Sequence, residues 1–323
     1  MNETVPVTAL RTYLRCPRRY ELEHVLALET GGEPPSRRRL AICRAAIRAG
    51  LAHGPDPATM LEGARDRLFD LWEDHDEPFP SSAQRRHAMR VLEAVLRAYC
   101  SGPGREHAGG LEDVPEAVTA LDPSLSATVP VGEDRSVVLS LPVDLLTTVR
   151  GDLVAVRFTR YRSSLGALRY YEAWDGPVAE TFHDHVGGGD RAVPTVATLL
   201  ETAAVCAGLR SVADESIDQC RYLVVPLLDG SGVTVDWLEQ RVHVDLEPVA
   251  CEEAYVDEGT LARTLEYRND AVDRHLQSIC SAIGESVHDP SERWDVISEE
   301  ECHRCPMRVC CQDAMAAEVK FGG

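Results

Sequence analysis

The 323-residue chain contains one lysine, Lys320, so nearly all of its positive charge is arginine. Lysine-dependent chemistry has almost nowhere to reside. Long apolar stretches are also missing. The longest wholly apolar run, "YLVVPLL" at 222–228, is far below the roughly 20 residues needed to span a bilayer. No segment resembles a signal peptide, and there is no internal repeat or low-complexity tail. The expected location is therefore cytoplasmic, with no membrane partner. Thiols stay reduced in that compartment, so eleven cysteines, an odd number, argue against a disulfide framework and for metal ligation wherever they cluster.

What is present is enough to fold. With 44% hydrophobic residues the chain can bury a sizeable core as one large domain or two modest ones. It carries 53 acidic and 33 basic residues, a net charge of −20. A dense acidic surface almost free of lysine suits a salt-loving organism, where carboxylates keep a protein hydrated; a GC-rich genome favouring arginine codons is the plainer explanation. Two stretches run against this background. Residues 1–50 hold nine arginines (Arg11, Arg15, Arg18, Arg19, Arg37, Arg38, Arg39, Arg44 and Arg48) and five acids, and "RFTRYRSSLGALR" at 157–169 holds four arginines and no acid. Such islands are where a polyanion would make contact, unless the arginines are paired with neighbouring carboxylates.

Periodicity divides the chain. Thr8 is placed to cap a first helix carrying Leu10, Tyr13 and Leu14, and Pro17 suits the first turn of a second. A loop at 30–36 precedes helical patterns at about 37–53, 57–74 and 81–100, and a turn-rich connector covers 101–116. Two β-runs follow, 136–149 and 152–161, joined by a turn around Gly151, and then a helix at 193–209 and an apolar strand at 220–228. A hairpin pattern occupies 233–246 and a helix 258–283. The sum is an α/β core with helical flanks. The expected division is a helical segment at 1–110, an α/β core at 111–255 and a C-terminal segment at 256–323, composing one domain.

Near the C-terminus, "ECHRCPMRVCCQ" at 301–312 supplies Cys302, Cys305 and Cys311 as C-x2-C-x5-C, with Cys310 as an alternative third member. Clustered thiolates suit zinc or an iron–sulfur cluster, and a closed site needs four ligands. His303 and the unused neighbouring cysteine are awkwardly placed, which points to a ligand from elsewhere in the chain. Cys43, Cys100, Cys206, Cys220, Cys251 and Cys280 lie in apolar patterns and read as small core residues. Cys16 differs, because it sits in "VTALRTYLRCPRRYELEHV". A helix, then Cys-Pro, then an aromatic-bearing helix, combined with a late C-x2-C-P-x4-C, resembles the iron–sulfur nucleases of the RecB/AddB branch of the PD-(D/E)XK superfamily, which include CRISPR-adaptation exonucleases. The resemblance implies a restriction-endonuclease-like mixed sheet with helical flanks. It also implies a four-iron four-sulfur cluster held by Cys16, Cys302, Cys305 and Cys311, joining the two ends of the chain.

The same resemblance places the catalytic motif in "LSLPVDLLTTVRGDLVAVRFTRYR". Asp144 matches the family's first aspartate, but Arg157 stands at the second acidic position and Thr159 at the lysine. The family's upstream histidine falls on Arg48, with Arg44 where glycine is usual, and its later Gln-x3-Tyr helix has no counterpart. Arginine cannot ligate Mg2+, and a lone carboxylate is a poor site for so tightly hydrated an ion. Asp144 is thus expected to be an inactive remnant, paired with Arg157 or Arg160, with no Mg2+ bound. Arg157, Arg160 and Arg162 become candidate phosphate contacts. The implied function is a DNA-binding, catalytically inactive nuclease-like protein of DNA repair, recombination or processing. It would bind single-stranded or frayed DNA and serve as a partner of a helicase or another nuclease. The alternatives are an active metal-dependent exonuclease using Asp144, Asp152 or Glu172, and a cluster-stabilised scaffold with no DNA role.

Overall fold

The computed structural model describes residues 3–28, 35–160, 192–228, 233–236, 241–252 and 269–318. The protein is mixed α/β. A short strand β1 (Glu3–Pro6) leads into helices α1 (Ala9–Arg15) and α2 (Pro17–Tyr20), the latter continuing as a π turn over Glu21–Val25. Pro17 starts α2, as its fixed φ favours. Thr8 does not act as the cap expected of it: its backbone is already helical and its hydroxyl makes no capping bond. Three longer helices follow, α3 (Pro35–His53), α4 (Pro57–Glu73) and α5 (Ser82–Ser101). The Asp56 carboxylate caps α4 through the N–H groups of Ala58 and Thr59, and the Ser81 hydroxyl accepts from Gln84 N–H at the start of α5. The expected connector at 101–116 contains a short helix, α6 (Pro103–Gly109), because Pro103 can open a new helix where α5 ends at Gly102.

Strands β2 (Ser126–Pro130), β3 (Ser136–Ser140), β4 (Leu145–Val149) and β5 (Asp152–Thr159) come next, then α7 (Ala192–Val212) and β6 (Cys220–Pro226). The hairpin β7 (Val233–Asp236) and β8 (Arg241–Val244) and a two-residue β9 (Val249–Ala250) complete the strands described. Helix α8 (Asp270–Gly284) covers the end of the expected 258–283 helix, whose first part lies outside the described residues. Helices α9 (Trp294–Glu300) and α10 (Gln312–Glu318) flank the late cysteines.

The expected run 136–149 is two strands in two sheets. β3 lies between β1, parallel to it, and β2, antiparallel, whereas β4 begins a second sheet in the order β4-β5-β6-β9. Pro142 falls in the break, where it removes a ladder donor, and the chain changes sheets over Leu141–Asp144. β5 pairs antiparallel with β4 and parallel with β6, so it is central. Its two faces are both covered. Leu153 and Ala155 join a core built from α1, α7, α8 and the first sheet, while Val154, Val156 and Phe158 join a core built from α3, α4 and α5. This explains why β5 reads as a nearly continuous apolar run. The two cores also bind the N-terminal segment to the middle of the chain: Val5, Leu10 and Tyr13 belong to one core and α3–α5 to the other.

Helix α7 is apolar enough over Val193–Val212 to cross a bilayer by length and composition, yet most of it is buried in the first core. It behaves as a core helix. Its position, packed against β2, β5, β6, α1 and α8, puts one of its side chains, Glu201, at the end of β5.

The turn between β4 and β5 is a two-residue hairpin loop, since Val149 pairs with Asp152. Arg150 (φ 56°) and Gly151 (φ 91°) both have positive φ, the conformation a tight hairpin of this twist requires. A Cβ on Gly151 would also come within 2.7 Å of Asp218 Oδ2. Replacing Gly151 by Ala is expected to destabilise the protein by about 1–2 kcal/mol, the usual penalty for a side chain in left-handed backbone. Urea denaturation of the variant and the parent checks this.

Candidate nucleic-acid interface and thiol site

The start of β4 and the end of β5 hold the residues matched to the nuclease motif. Asp144 is 6% exposed. Its backbone N–H donates to Val156 O, and its Oδ2 accepts from Phe158 N–H at 2.7 Å. Oδ1 lies 3.3 Å from Arg44 Nε, and the Arg44 guanidinium also donates to Phe158 O. Asp144 is therefore held by Arg44 on α3, not by Arg157 or Arg160 as expected. The reason is geometric. Arg157 and Thr159 alternate with Phe158 on β5 and project to the face covered by α7 and α1, while Asp144 meets Phe158 and α3 on the other side. Burial raises the Asp144 carboxyl above its ordinary range despite Arg44 and the Phe158 N–H, and burial lowers the Arg44 guanidinium. Both charges are thus disfavoured by desolvation, the usual condition of a buried ion pair. Asp152 cannot share a metal with Asp144. It starts β5 at the hairpin turn, five residues before Arg157 and so about 16 Å along the strand. Glu172 lies outside the described residues.

Arg157 pairs with Glu201 of α7, and the Tyr222 hydroxyl of β6 donates to the same Glu201 oxygen at 2.5 Å. Burial opposes the Arg157 charge, but Glu201 and Tyr222 outweigh it and raise its pKa. Arg160 is on the opposite side, lining a separate pocket with Arg39, Glu77 and Phe79, so the two do not grip one phosphate together. Arg162 lies outside the described residues.

Arg157 instead opens into a cavity of about 480 Å³ whose other cations are Arg11, Arg15, Arg19 and Arg37, with Thr159 and Glu201 in its wall. This cavity explains the first arginine island. Seven of its nine arginines have a carboxylate: Arg15 (Glu301), Arg18 (Glu21 and Asp313), Arg19 (Glu23), Arg38 (Asp76), Arg39 (Glu77), Arg44 (Asp144) and Arg48 (Asp122). Arg11 and Arg37 have neither an ion pair nor a hydrogen bond among the described residues, and both line this cavity. Burial, with the neighbouring Arg15, depresses the Arg11 pKa despite the opposing carboxylates of Glu201 and Glu301. Glu201 and Thr198 were not singled out from the sequence. Glu201 had a signal, being the only acid in the otherwise apolar helix "AVPTVATLLETAAVCAGLRSV".

The cysteines form a second site next to the first. Cys16, at the α1–α2 junction, lines one pocket with Cys302, Cys305 and Cys311, and Leu22, Trp294, Ile297 and Met307 supply its apolar wall. Cys310 is exposed, its Sγ 3.2 Å from Met307 O, and does not line the pocket. Cys16 accepts from Arg19 N–H at 3.4 Å, and burial pushes its thiol up to about 11; burial raises Cys302 and Cys305 as well. The donor set fits an iron–sulfur cluster chemically: four thiols and an apolar wall, with Glu301 the one carboxylate facing in. The pocket is narrow, and no three His, Cys, Asp or Glu side chains among the described residues are grouped so that they could hold a metal ion. The other six cysteines are buried core residues, and all eleven are free thiols.

Asp144 gives a measurable stability signature. Asp144→Leu removes the acceptor of Phe158 N–H and strands Arg44, an expected loss of about 1–3 kcal/mol. Asp144→Asn keeps an acceptor and loses the charge. Because the folded carboxyl titrates above its ordinary 3.8, the native state holds this proton more tightly than the unfolded chain. The carboxyl's contribution is then fully present below that value and declines as pH rises through the folded pKa. The parent should lose stability relative to Asp144→Asn on raising pH from about 3 to 7, measured by paired denaturation curves.

No family model and no curated protein matches this chain.

Proposed function

We propose that the protein binds single-stranded or frayed DNA without cleaving it. The core is restriction-endonuclease-like, and an iron–sulfur cluster on Cys16, Cys302, Cys305 and Cys311 joins the ends of the chain. The observation that carries the reading is the chemistry at the end of β5. Where a metal-binding carboxylate and a lysine would be needed for hydrolysis stand Arg157 and Thr159, in the wall of an arginine-lined cavity. The carboxylate that remains, Asp144, is occupied by Arg44 and Phe158 N–H. Hydrolysis of a phosphodiester by this superfamily's route needs Mg2+ fixed between carboxylates and a lysine near the nucleophile. Binding needs only cations and donors at phosphate spacing. The proposed setting is cytoplasmic, in DNA repair, recombination or processing, alongside a helicase or nuclease subunit that supplies the catalysis.

A scaffold with no nucleic-acid role has one observation in its favour: on a chain of net charge −20, seven of the nine arginines in residues 1–50 are already paired. Titration of a labelled single-stranded oligonucleotide at several salt concentrations separates the two readings. DNA binding predicts affinity that falls linearly with log salt and a shallower slope in Arg157→Gln, whereas a scaffold shows no binding at low salt. The same oligonucleotide should survive incubation in Mg2+ or Mn2+. Cleavage that disappears in Asp144→Ala would install the active nuclease instead.

The cluster is tested separately. Protein purified without oxygen should be brown and contain iron and acid-labile sulfide. Ser at position 16, 302, 305 or 311 should remove the colour and lower the melting temperature, while Cys310→Ser should do neither. A colourless protein with stoichiometric zinc sinks the cluster assignment.

A further inference from the structure

The cavity at the end of β5 has a charge balance that selects a particular kind of phosphate. Of its five guanidiniums, three have a carboxylate, Arg15 with Glu301, Arg19 with Glu23 and Arg157 with Glu201. Arg11 and Arg37 have none among the described residues, which leaves an excess of two positive charges at one open cavity, with Arg37 on its exposed side. Its walls also hold polar atoms with nothing to bond. The Nε atoms of Arg11 and Arg157 are buried without a hydrogen-bond partner, and so is Oγ1 of Thr159, a residue only 7% exposed; Arg15 Nε makes no hydrogen bond either but lies 3.6 Å from Glu301 Oε1. Buried donors without acceptors cost free energy unless something fills the space between them. Like charges assembled there add to that cost: burial, Arg15 and Arg157 all oppose the Arg11 charge, and the nearby Glu201 and Glu301 do not fully offset them.

The missing component is an anion with several acceptor oxygens. A phosphodiester brings one negative charge. A phosphomonoester brings close to two, with three strong acceptor oxygens, which matches the excess charge and offers acceptors to the unsatisfied donors. The volume, about 480 Å³, is within the range of small-molecule sites and takes a phosphate together with the nucleoside that carries it.

We infer that this cavity seats a phosphomonoester dianion, and that on DNA it captures a phosphorylated strand end in preference to an internal phosphodiester. The inference rests on the DNA-binding reading for the identity of the ligand, but not for the anion site itself. Arg11 and Arg37 bind the terminal oxygens by charge-assisted bonds, and Thr159 donates its hydroxyl. Arg157 is steered by Glu201 and Tyr222, so it presents a fixed edge to the cavity. The residues that displaced the metal chemistry thus become the floor of the anion site.

The test compares three single-stranded oligonucleotides of one sequence, 5′-phosphorylated, 3′-phosphorylated and unphosphorylated, by fluorescence anisotropy at one salt concentration. Inorganic phosphate and a nucleoside monophosphate are titrated separately by calorimetry. One phosphorylated end should bind about tenfold or more tightly than the unphosphorylated strand, as one or two additional charge-assisted bonds would give. Arg37→Gln, at an exposed position, and Arg11→Gln should both abolish that preference, whatever smaller loss they cause on the unphosphorylated strand. Equal affinity for all three strands overturns the inference and leaves DNA binding standing. Binding of the monophosphate with no binding of any oligonucleotide keeps the anion site and removes DNA. A preference that persists in Arg37→Gln and in a folded Arg11→Gln places the end elsewhere and overturns the inference.

Discussion

Everything at both sites depends on the docking of the first helices against the last fifty residues. Tyr13 donates its hydroxyl to Val287 O at 2.7 Å, Arg293 donates to Leu14 O at 2.9 Å, and Arg15 and Arg18 pair with Glu301 and Asp313. Tyr13 meets Tyr20 and His288 edge to face, and Tyr20 lies tilted against His288. These contacts join segments almost three hundred residues apart. They bring Cys16 to Cys302, Cys305 and Cys311, and they turn Arg11, Arg15 and Arg19 toward the end of β5. Arg19 lies in the wall of both pockets, so the thiol site and the cationic cavity share a side chain. Closing so long a loop has an entropic cost that a covalent or coordinated link between the ends would offset.

Arginine suits the other constraint, a strongly acidic surface. Each guanidinium has several fixed donors, so one residue can meet two partners at once, as Arg18 meets Glu21 and Asp313 and Arg44 meets Asp144 and Phe158 O. A lysine ammonium is a hydrated point charge and would not hold these geometries as well. Within residues 1–50 arginine is therefore used structurally at seven of nine positions, and the cavity is the exception. There the pairing stops short: Arg11 and Arg37, the two arginines of residues 1–50 without a carboxylate among the described residues, both line it.

Much of the architecture was legible. The helices α3, α4, α5 and α7, the hairpin β4–β5 and the apolar strand β6 follow from periodicity and from turn residues such as Gly151. Spacing singled out the late cysteines, and the Cys-Pro helix singled out Cys16, and the four line one pocket. β1 and β2 left no comparable mark. Each is four or five residues long and is a strand only because β3 lies beside it. The change of sheets at Leu141–Asp144 was hidden for a similar reason: a strand run in sequence says nothing of which neighbour each half pairs with.

The sequence by itself determined the composition of the sites: Cys16 and the late C-x2-C-x5-C, Arg157 and Thr159 on one apolar strand, and an excess of arginine at the start of the chain. Tertiary structure decided which of those residues meet. Asp144 and Arg157 are thirteen positions apart and carry opposite charges, yet they found different partners, because alternation along β5 sends Arg157 to Glu201 and leaves Asp144 to Arg44. The same alternation, with the packing of α1 and α7 above it, separated Arg157 from Arg160 and gathered Arg157 with Arg11 and Arg37. Pairing of charges is settled by through-space distance of a few ångströms, and that distance is fixed only when strands, helices and chain ends have packed.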